Sequence, residues 1–190
     1  LERTIASVER QDYAAIEYIV VDGASTDGTM EIVGRHAATV SKYVSEPDDG
    51  LYYAMNKGLA MATGDYVWFV NAGDELYGPT TVSDMVGKGD RDTDVFYGDT
   101  VITRMDGSEI GQRRLTPPES LNRDSFRRGM LVCHQAFVAR RSLCPAYDTR
   151  YRLSADFDWC VKILSRSKKV VNTRQTLVRF LDGGMTRHNI

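Results

Sequence analysis

The sequence predicts an α/β domain built on a largely parallel sheet flanked by crossover helices. Strand-like and helix-like segments alternate three times in the first 70 residues, the pattern of βαβ units. The run Tyr66 to Val70 is aromatic and β-branched without a charge, as in a strand buried on both faces. The strand-like runs end in polar turns, Asp22-Gly23, Asp48-Asp49-Gly50 and Asn71-Ala72-Gly73-Asp74. Open α/β sheets bind ligands beyond the carboxyl ends of their strands, so these turns are the first place to look for chemistry.

With 190 residues and a net charge of −2, the chain is sized for one domain and has no basic footprint for nucleic acid. Local positive charge gathers at Arg113-Arg114, Arg123 to Arg128 and Lys168-Lys169. Such runs are solvated faces, or contacts to phosphates or an anionic membrane surface. The three cysteines have no CxxC spacing, which gives neither a disulfide framework nor a zinc site and suits a reducing compartment. No apolar run approaches the ~20 residues that span a bilayer.

Taken in order, Leu1, Ile5, Val8 and Ala6 fall on one face of a helix ending near Gln11-Asp12. Ile16 to Asp22 is a strand, and Ser25-Thr26-Asp27-Gly28 is a loop and cap. Met30, Val33 and Ala37 make the next helical stripe. Val40 to Val44 is a short strand, broken by Asp48-Asp49-Gly50. Leu51 to Met61 is a helix, ended by Thr63-Gly64 ahead of the strand Tyr66 to Val70. The second half is less regular. Thr80 to Val86 and Phe157 to Leu164 read as helices, with strands at Asp94 to Tyr97, Thr100 to Arg104 and Gln135 to Val138. Asp106-Gly107 is a hairpin signal. Val170 to Asn172 and Leu177 to Phe180 read as edge strands, and Asp182-Gly183-Gly184 opens a tail. A parallel sheet of this kind needs a strand before the first helix. The natural protein is therefore expected to extend roughly 10–20 residues upstream of Leu1, in a segment that carries a β-branched apolar run ending in Thr, Asn or similar.

Four constellations can carry chemistry. At Val21 to Thr29, small residues let a ring or phosphate approach the backbone, and Asp22 can accept the imide N–H of a uracil. Ser25 or Asp27 there can equally cap the following helix. Asp48 and Asp49 can cap the next helix and face the same sheet edge, with Asn56 and Lys57 further along it. Lys57 reads equally well as a solvated side chain. Asp74, after Asn71-Ala72-Gly73, can hold a hard cation that also touches a phosphate, or simply close a turn. Asp156 and Asp158 lie in the first turn of a helix, where the macrodipole favours negative charge, and either can serve as a general base. His134-Gln135 offers hydrogen bonds to a polyhydroxylated ligand. GxGxxG is absent, which argues against a dinucleotide-dependent oxidoreductase.

In this order and spacing, VVDGASTDGT, DGLYYAMNKG and GDYVWFVNAGDELY resemble the family 2 glycosyltransferases of GT-A fold. YGD at Tyr97 to Asp99 and ADFDW at Ala155 to Trp159 agree, and the resemblance covers essentially the whole chain. It implies one domain, with a nucleotide-sugar-binding half at 1–100 and a smaller, antiparallel or irregular acceptor-side half at 101–190. It implies inverting transfer of a hexosyl or N-acetylhexosaminyl group from a nucleoside-diphosphate sugar, often a UDP-sugar, to an acceptor hydroxyl. The acceptor would be a saccharide or lipid-linked glycan in cell-surface polysaccharide synthesis, on the cytoplasmic side and in reach of the membrane. Asp22, Gly23, Ala24, Asp48, Asn56, Lys57, Asn71, Ala72 and Gly73 would surround the donor. Asp74 would hold Mn²⁺ or Mg²⁺, with His188 as a further ligand. Asp156 would be the base, with Asp158 as the alternative, and His134 and Gln135 would line the acceptor side. Gly183-Gly184-Met185-Thr186 resembles the segment that closes over the donor.

The chain departs from the family pattern in several places. Asn71-Ala72-Gly73-Asp74 stands where Asp-x-Asp-Asp is usual. Ala155 replaces the Glu of the base motif, Met55 a basic residue and Tyr53 an Asp. The reduced acidic motif keeps open a silent domain that binds a sugar nucleotide without turnover. A sugar-1-phosphate nucleotidyltransferase would need a Gly-rich, Arg-containing loop, which is not seen.

Overall fold

The computed structural model describes residues 1–183. Among these residues five α-helices and eight strands are ordered α1 (Glu2–Glu9), β1 (Ile19–Asp22), α2 (Thr29–Arg35), β2 (Lys42–Ser45), α3 (Leu51–Met61), β3 (Tyr66–Val67), β4 (Glu75–Leu76), α4 (Thr81–Val86), β5 (Val95–Thr103), β6 (Glu109–Gln112), β7 (Phe137–Arg140), α5 (Ala155–Leu164) and β8 (Val170–Leu181). Among the described residues the strands form a parallel pair, β1–β2, and a six-stranded sheet ordered β3-β7-β5-β8-β4 with β6 beside β5. In the larger sheet only β5–β8 is parallel. The pairing is therefore more mixed than the alternating pattern alone suggests. Chain reversals without a crossover helix, such as the turn at Asp106-Gly107 between β5 and β6, produce antiparallel neighbours.

The expected strand Tyr66 to Val70 keeps ladder geometry only at Tyr66 and Val67, and of its residues only Val67 is buried. It pairs with β7 on one edge, so its other residues lack the second neighbour that the apolar run anticipates. Gly58 of α3 lies across the interval between the sheets. A Cβ there would stand 3.5 Å from Val21 and 4.0 Å from Phe69. The two expected edge strands near the C-terminus are one twelve-residue strand, β8, lying between β5 and β4. Its middle is irregular rather than broken. Arg174 adopts φ 54°, and its N–H donates to the Asn172 side chain at 2.9 Å. The segments 94–97 and 100–104 likewise merge into β5, across a register shift on either side of Asp99. The turn at His134–Ala136 is 3₁₀, and the strand expected there begins at Phe137.

Gly98 makes the β5–β8 irregularity sterically possible. A Cβ there would lie 2.5 Å from the Gln175 carbonyl oxygen, 2.7 Å from Thr173 Oγ1 and 2.8 Å from Leu177 Cγ. Gly98→Ala is expected to destabilise the protein by about 2–3 kcal/mol, an overpacking penalty. At this chain length that lowers Tm by roughly 5–10 °C. Gly34→Ala on α2, with nothing within 4 Å of the new Cβ, is the control. It should be neutral or raise stability by up to ~1 kcal/mol. Thermal unfolding of the two variants checks the pair.

The core lies between the larger sheet and α5. Val95, Phe96 and Tyr97 of β5, Phe137 and Val138 of β7, and Trp159 and Ile163 of α5 are almost completely buried. α1 packs on β4 by its expected apolar face, Ile5 and Val8. It also uses two buried hydroxyls. Thr4 Oγ1 accepts from the Gly73 N–H at 2.9 Å, and Ser7 Oγ accepts from the Leu76 N–H at 3.0 Å. An ion pair between Arg3 and Glu75 adds to the same contact. The helix thereby fixes the turn that carries Asp74.

Candidate active site

Asp22 ends β1 and is buried, yet its carboxylate is richly solvated by the protein. Oδ2 accepts from the Ser25 N–H at 3.0 Å and from Ser45 Oγ at 2.6 Å. Burial pushes its pKa up, but these hydrogen bonds outweigh burial and hold it below the usual carboxylate value. Ala24, two residues on, takes φ 63°, a left-handed conformation rare for a side chain with Cβ. Such strain at a strand-end turn is common where a ligand approaches. Asp48 sits against this turn. A Cβ on Gly23 would stand 3.1 Å from Asp48 Oδ2, so glycine there lets the second carboxylate come close. Asp48 Oδ1 in turn accepts from the Gly50 N–H at 2.9 Å, at the start of α3. Asp27 Oδ1 accepts from the Thr29 N–H and hydroxyl, but Gly28 is the N-cap of α2 and no side chain caps it, so the cap expected from Ser25 or Asp27 does not form.

Lys57 pairs with Glu46 at 3.0 Å and reaches the Pro47 carbonyl, bracing the segment that leads into Asp48. Asn56 faces the protein interior. Its Nδ2 donates to the Tyr147 carbonyl at 3.0 Å and its Oδ1 accepts from the Tyr147 N–H at 2.7 Å. Those two bonds tie α3 to the Tyr147 backbone.

Asp74 follows the turn Asn71-Ala72-Gly73, where its N–H donates to the Asn71 carbonyl at 3.0 Å. Gly73 is at φ 102°, and a Cβ there would meet Leu181 at 2.7 Å. Asp74 is 3% exposed and forms no ion pair among the described residues. Its Oδ1 accepts from the Leu181 N–H at 2.8 Å, and the Gln135 side chain nearby favours its charged form. Burial outweighs these bonds and raises its pKa to about 6. A hard oxygen ligand without a cationic partner fits a divalent ion. No three or more His, Cys, Asp or Glu side chains converge among the described residues, so phosphates and water would complete such a shell. His188 and Gly184-Met185-Thr186 lie outside the described residues.

Gln135 therefore belongs beside Asp74, with its Oε1 also accepting from Cys133 Sγ at 3.0 Å. His134 is buried against Phe69, Tyr147 and Trp159. Its Nε2 meets Tyr147 Oη at 2.8 Å. Burial lowers its pKa to about 4 against the pull of Asp156, so the ring is neutral near pH 7. Both residues are buried.

Asp156 and Asp158 separate clearly. Asp158 is held by Lys162 one turn on, at 2.6 Å. Asp156 is half-buried. Its Oδ1 accepts from its neighbour's N–H, that of Phe157, at 2.9 Å and from Tyr52 Oη at 3.1 Å. Sequence reasoning missed Tyr52, although it stands inside DGLYYAMNKG, two residues past Gly50.

Carboxylates at the ends of β1 and β2, an acidic turn after β3 and a carboxylate at the start of α5 define an α/β domain of GT-A type. Residues 1–146 match the profile of Glycosyl transferase family 2, and the chain belongs to that family. A PGL/p-HBAD biosynthesis glycosyltransferase of Mycobacterium bovis is 33% identical over 187 residues, covering 94% of this chain and 70% of its own. An uncharacterized glycosyltransferase of Mycobacterium tuberculosis is 33% identical over 171 residues, 85% of this chain and 63% of its own. Among solved structures, S. aureus TarS 1–349 in complex with UDP-GlcNAc aligns with TM-score 0.75 at 18% identity, over 98% of this chain and 56% of that one. The mannosyltransferase PcManGT from Pyrobaculum calidifontis, in complex with GDP-Man and Mn²⁺, aligns with TM-score 0.64 at 20% identity, over 98% and 54%. The chain thus spans little more than half of those two structures, and the likeness to them is one of fold. Among the described residues no helix is long and apolar enough to cross a membrane.

Proposed function

We propose that this chain is the catalytic part of an inverting glycosyltransferase that moves a hexosyl or N-acetylhexosaminyl group from a UDP-sugar to an acceptor hydroxyl. Residues 1–100 form its donor half and 101–190 its acceptor half. The acceptor is a saccharide or lipid-linked glycan of cell-surface polysaccharide synthesis, met at the cytoplasmic face of the membrane. The observation that carries the reading is the Asp156 carboxylate. One oxygen is fixed by two donors, and the side chain is half-buried at the start of α5.

Asp22 and Asp48 accept hydrogen bonds from the nucleoside at the strand ends, and the Gly23-Ala24 turn lets it approach the backbone. Asn71 to Gly73 bring backbone close to the diphosphate, and Asp74 would hold Mn²⁺ or Mg²⁺ there. The ion supplies Lewis-acid stabilisation of the departing diphosphate. Asp156 removes the acceptor proton as the hydroxyl attacks the anomeric carbon from the face opposite the diphosphate, which inverts that centre. A base so placed contributes roughly 10²–10⁴-fold. Alignment of donor and acceptor accounts for much of the remainder.

Thermal shift over a panel of nucleotide-sugars, with and without Mn²⁺, tests donor binding, because a bound donor raises Tm. UDP release from the donor that stabilises most then tests turnover. The deep burial of Asp74 favours a second reading, a sugar-nucleotide-binding domain without turnover. Stabilisation with no UDP release, against saccharide, lipid-linked and water acceptors, would select that reading.

A further inference from the structure

We infer that Tyr52 is the positioning residue for the general base: its hydroxyl fixes Oδ1 of Asp156 so that Oδ2 is the atom that takes the acceptor proton. The inference rests on the assignment of Asp156 as that base. Among the described residues the carboxylate accepts from Tyr52 Oη at 3.1 Å and from the Phe157 N–H at 2.9 Å, both on Oδ1. Two donors on one oxygen fix the χ2 rotation of the group and leave the other oxygen with its lone pairs available. The nearest alternative carboxylate, Asp158, has its Oδ2 committed to Lys162.

Tyr52 is itself held rigidly. It is 7% exposed and its ring stacks on Tyr147, with centroids 5.7 Å apart and planes 19° apart. Tyr147 stacks in turn on Trp159 of α5 at 5.0 Å and 9°. Its backbone is clamped at both N–H and C=O by Asn56, one turn along α3 from Tyr52. Tyr147 Oη ends on the neutral imidazole of His134. Burial, then the charge on Asp156, raises the Tyr52 phenol to about 12, so it stays a donor throughout the working pH range.

α3 thus ties the two halves of the reaction together. Its first turn is held by Asp48 on the donor side through Gly50, and Tyr52, two residues further, holds the base. A shift of α3 would be felt at Asp156 as a rotation of the carboxylate. A preorganised group of this kind acts on the chemical step and not on substrate affinity.

The test is a double-mutant cycle on the intact chain. Tyr52→Phe keeps the ring and its stacking and removes only the hydroxyl. It should lower kcat about 10–100-fold, equivalent to about 1.4–2.7 kcal/mol, by loss of alignment. Donor Kd by calorimetry, acceptor KM and Tm should stay close to wild type. In the Asp156→Asn background, Tyr52→Phe should have no further effect on UDP release, because the two side chains act as a unit. A purely structural role would instead lower kcat in both backgrounds, or raise the donor Kd, and either result overturns the inference. So does a wild-type kcat in Tyr52→Phe alongside loss of activity in Asp156→Asn, which leaves the base assignment standing. Full activity in Asp156→Asn would overturn the base assignment itself.

Discussion

Asp156→Asn is expected to reduce sugar transfer by about 10²–10⁴-fold, the contribution of a general base. Donor affinity should hold near its wild-type value, and so should the fold. The geometry supports this separation. Oδ1 of an asparagine accepts from Tyr52 and from the Phe157 N–H as the aspartate does, so α5 keeps its start and Tyr52 keeps its partner. Only the ability to take a proton is lost. Asp158→Asn provides the contrast. It breaks a part-buried pair with Lys162 four residues on, the kind of i,i+4 contact worth about 0.3–0.5 kcal/mol, and should leave transfer nearly unchanged. UDP release measured for both variants, with donor binding followed by calorimetry, decides the matter. If Asp158→Asn is the variant that loses turnover while Asp156→Asn retains it, the base is Asp158.

The parts of this site that could be read from sequence are those held by local rules. A β-branched run ending in Asp-Gly locates Asp22, because strand ends at a sheet edge are dictated by alternation and turn chemistry. The helix Leu51–Met61 and the start of α5 next to Asp156 follow from apolar spacing and acidic first-turn residues. What could not be read depends on distant partners. Nothing in Asn56's neighbourhood along the chain says that both ends of its amide meet Tyr147, 91 residues away. The pairing of Tyr52 with Asp156 spans 104 residues. β8 looked like two edge strands because Asn172-Thr173-Arg174-Gln175 interrupts its apolar pattern. That interruption is the irregularity packed against Gly98, and a single sequence does not reveal the register of its neighbour. His134 and Gln135 were legible as a polar pair before a strand, but their burial was not, because burial is set by α5 and the turn of Asp74 closing over them.

Asp74→Asn is expected to have two opposite effects. The first is loss of any Mn²⁺-dependent gain in UDP affinity, since the exchange removes the negative charge that would hold the ion. The second is higher stability of the metal-free protein at neutral pH. Burial raises the Asp74 pKa to about 6 from an ordinary value of 3.8. A group whose folded pKa lies above its unfolded one favours the fold fully when both states are protonated, below about pH 4. That contribution declines as pH rises through the window up to about 6, where the folded state must at last ionise a buried carboxylate. Above it, wild type carries a penalty of order 2–3 kcal/mol that asparagine, still able to accept from the Leu181 N–H, does not. For a chain of this length the variant should therefore melt roughly 5–10 °C higher at pH 7.5, with little difference near pH 4. A divalent cation should narrow the gap by stabilising only the wild type. Thermal unfolding at the two pH values, with and without Mn²⁺ and UDP, reads all of these quantities at once. If the variant retains Mn²⁺-dependent UDP binding, Asp74 does not hold the ion. If its melting temperature is equal to or below wild type at pH 7.5, the carboxylate is not a buried charge waiting for a cation, and its hydrogen bond from the Leu181 N–H is its whole role.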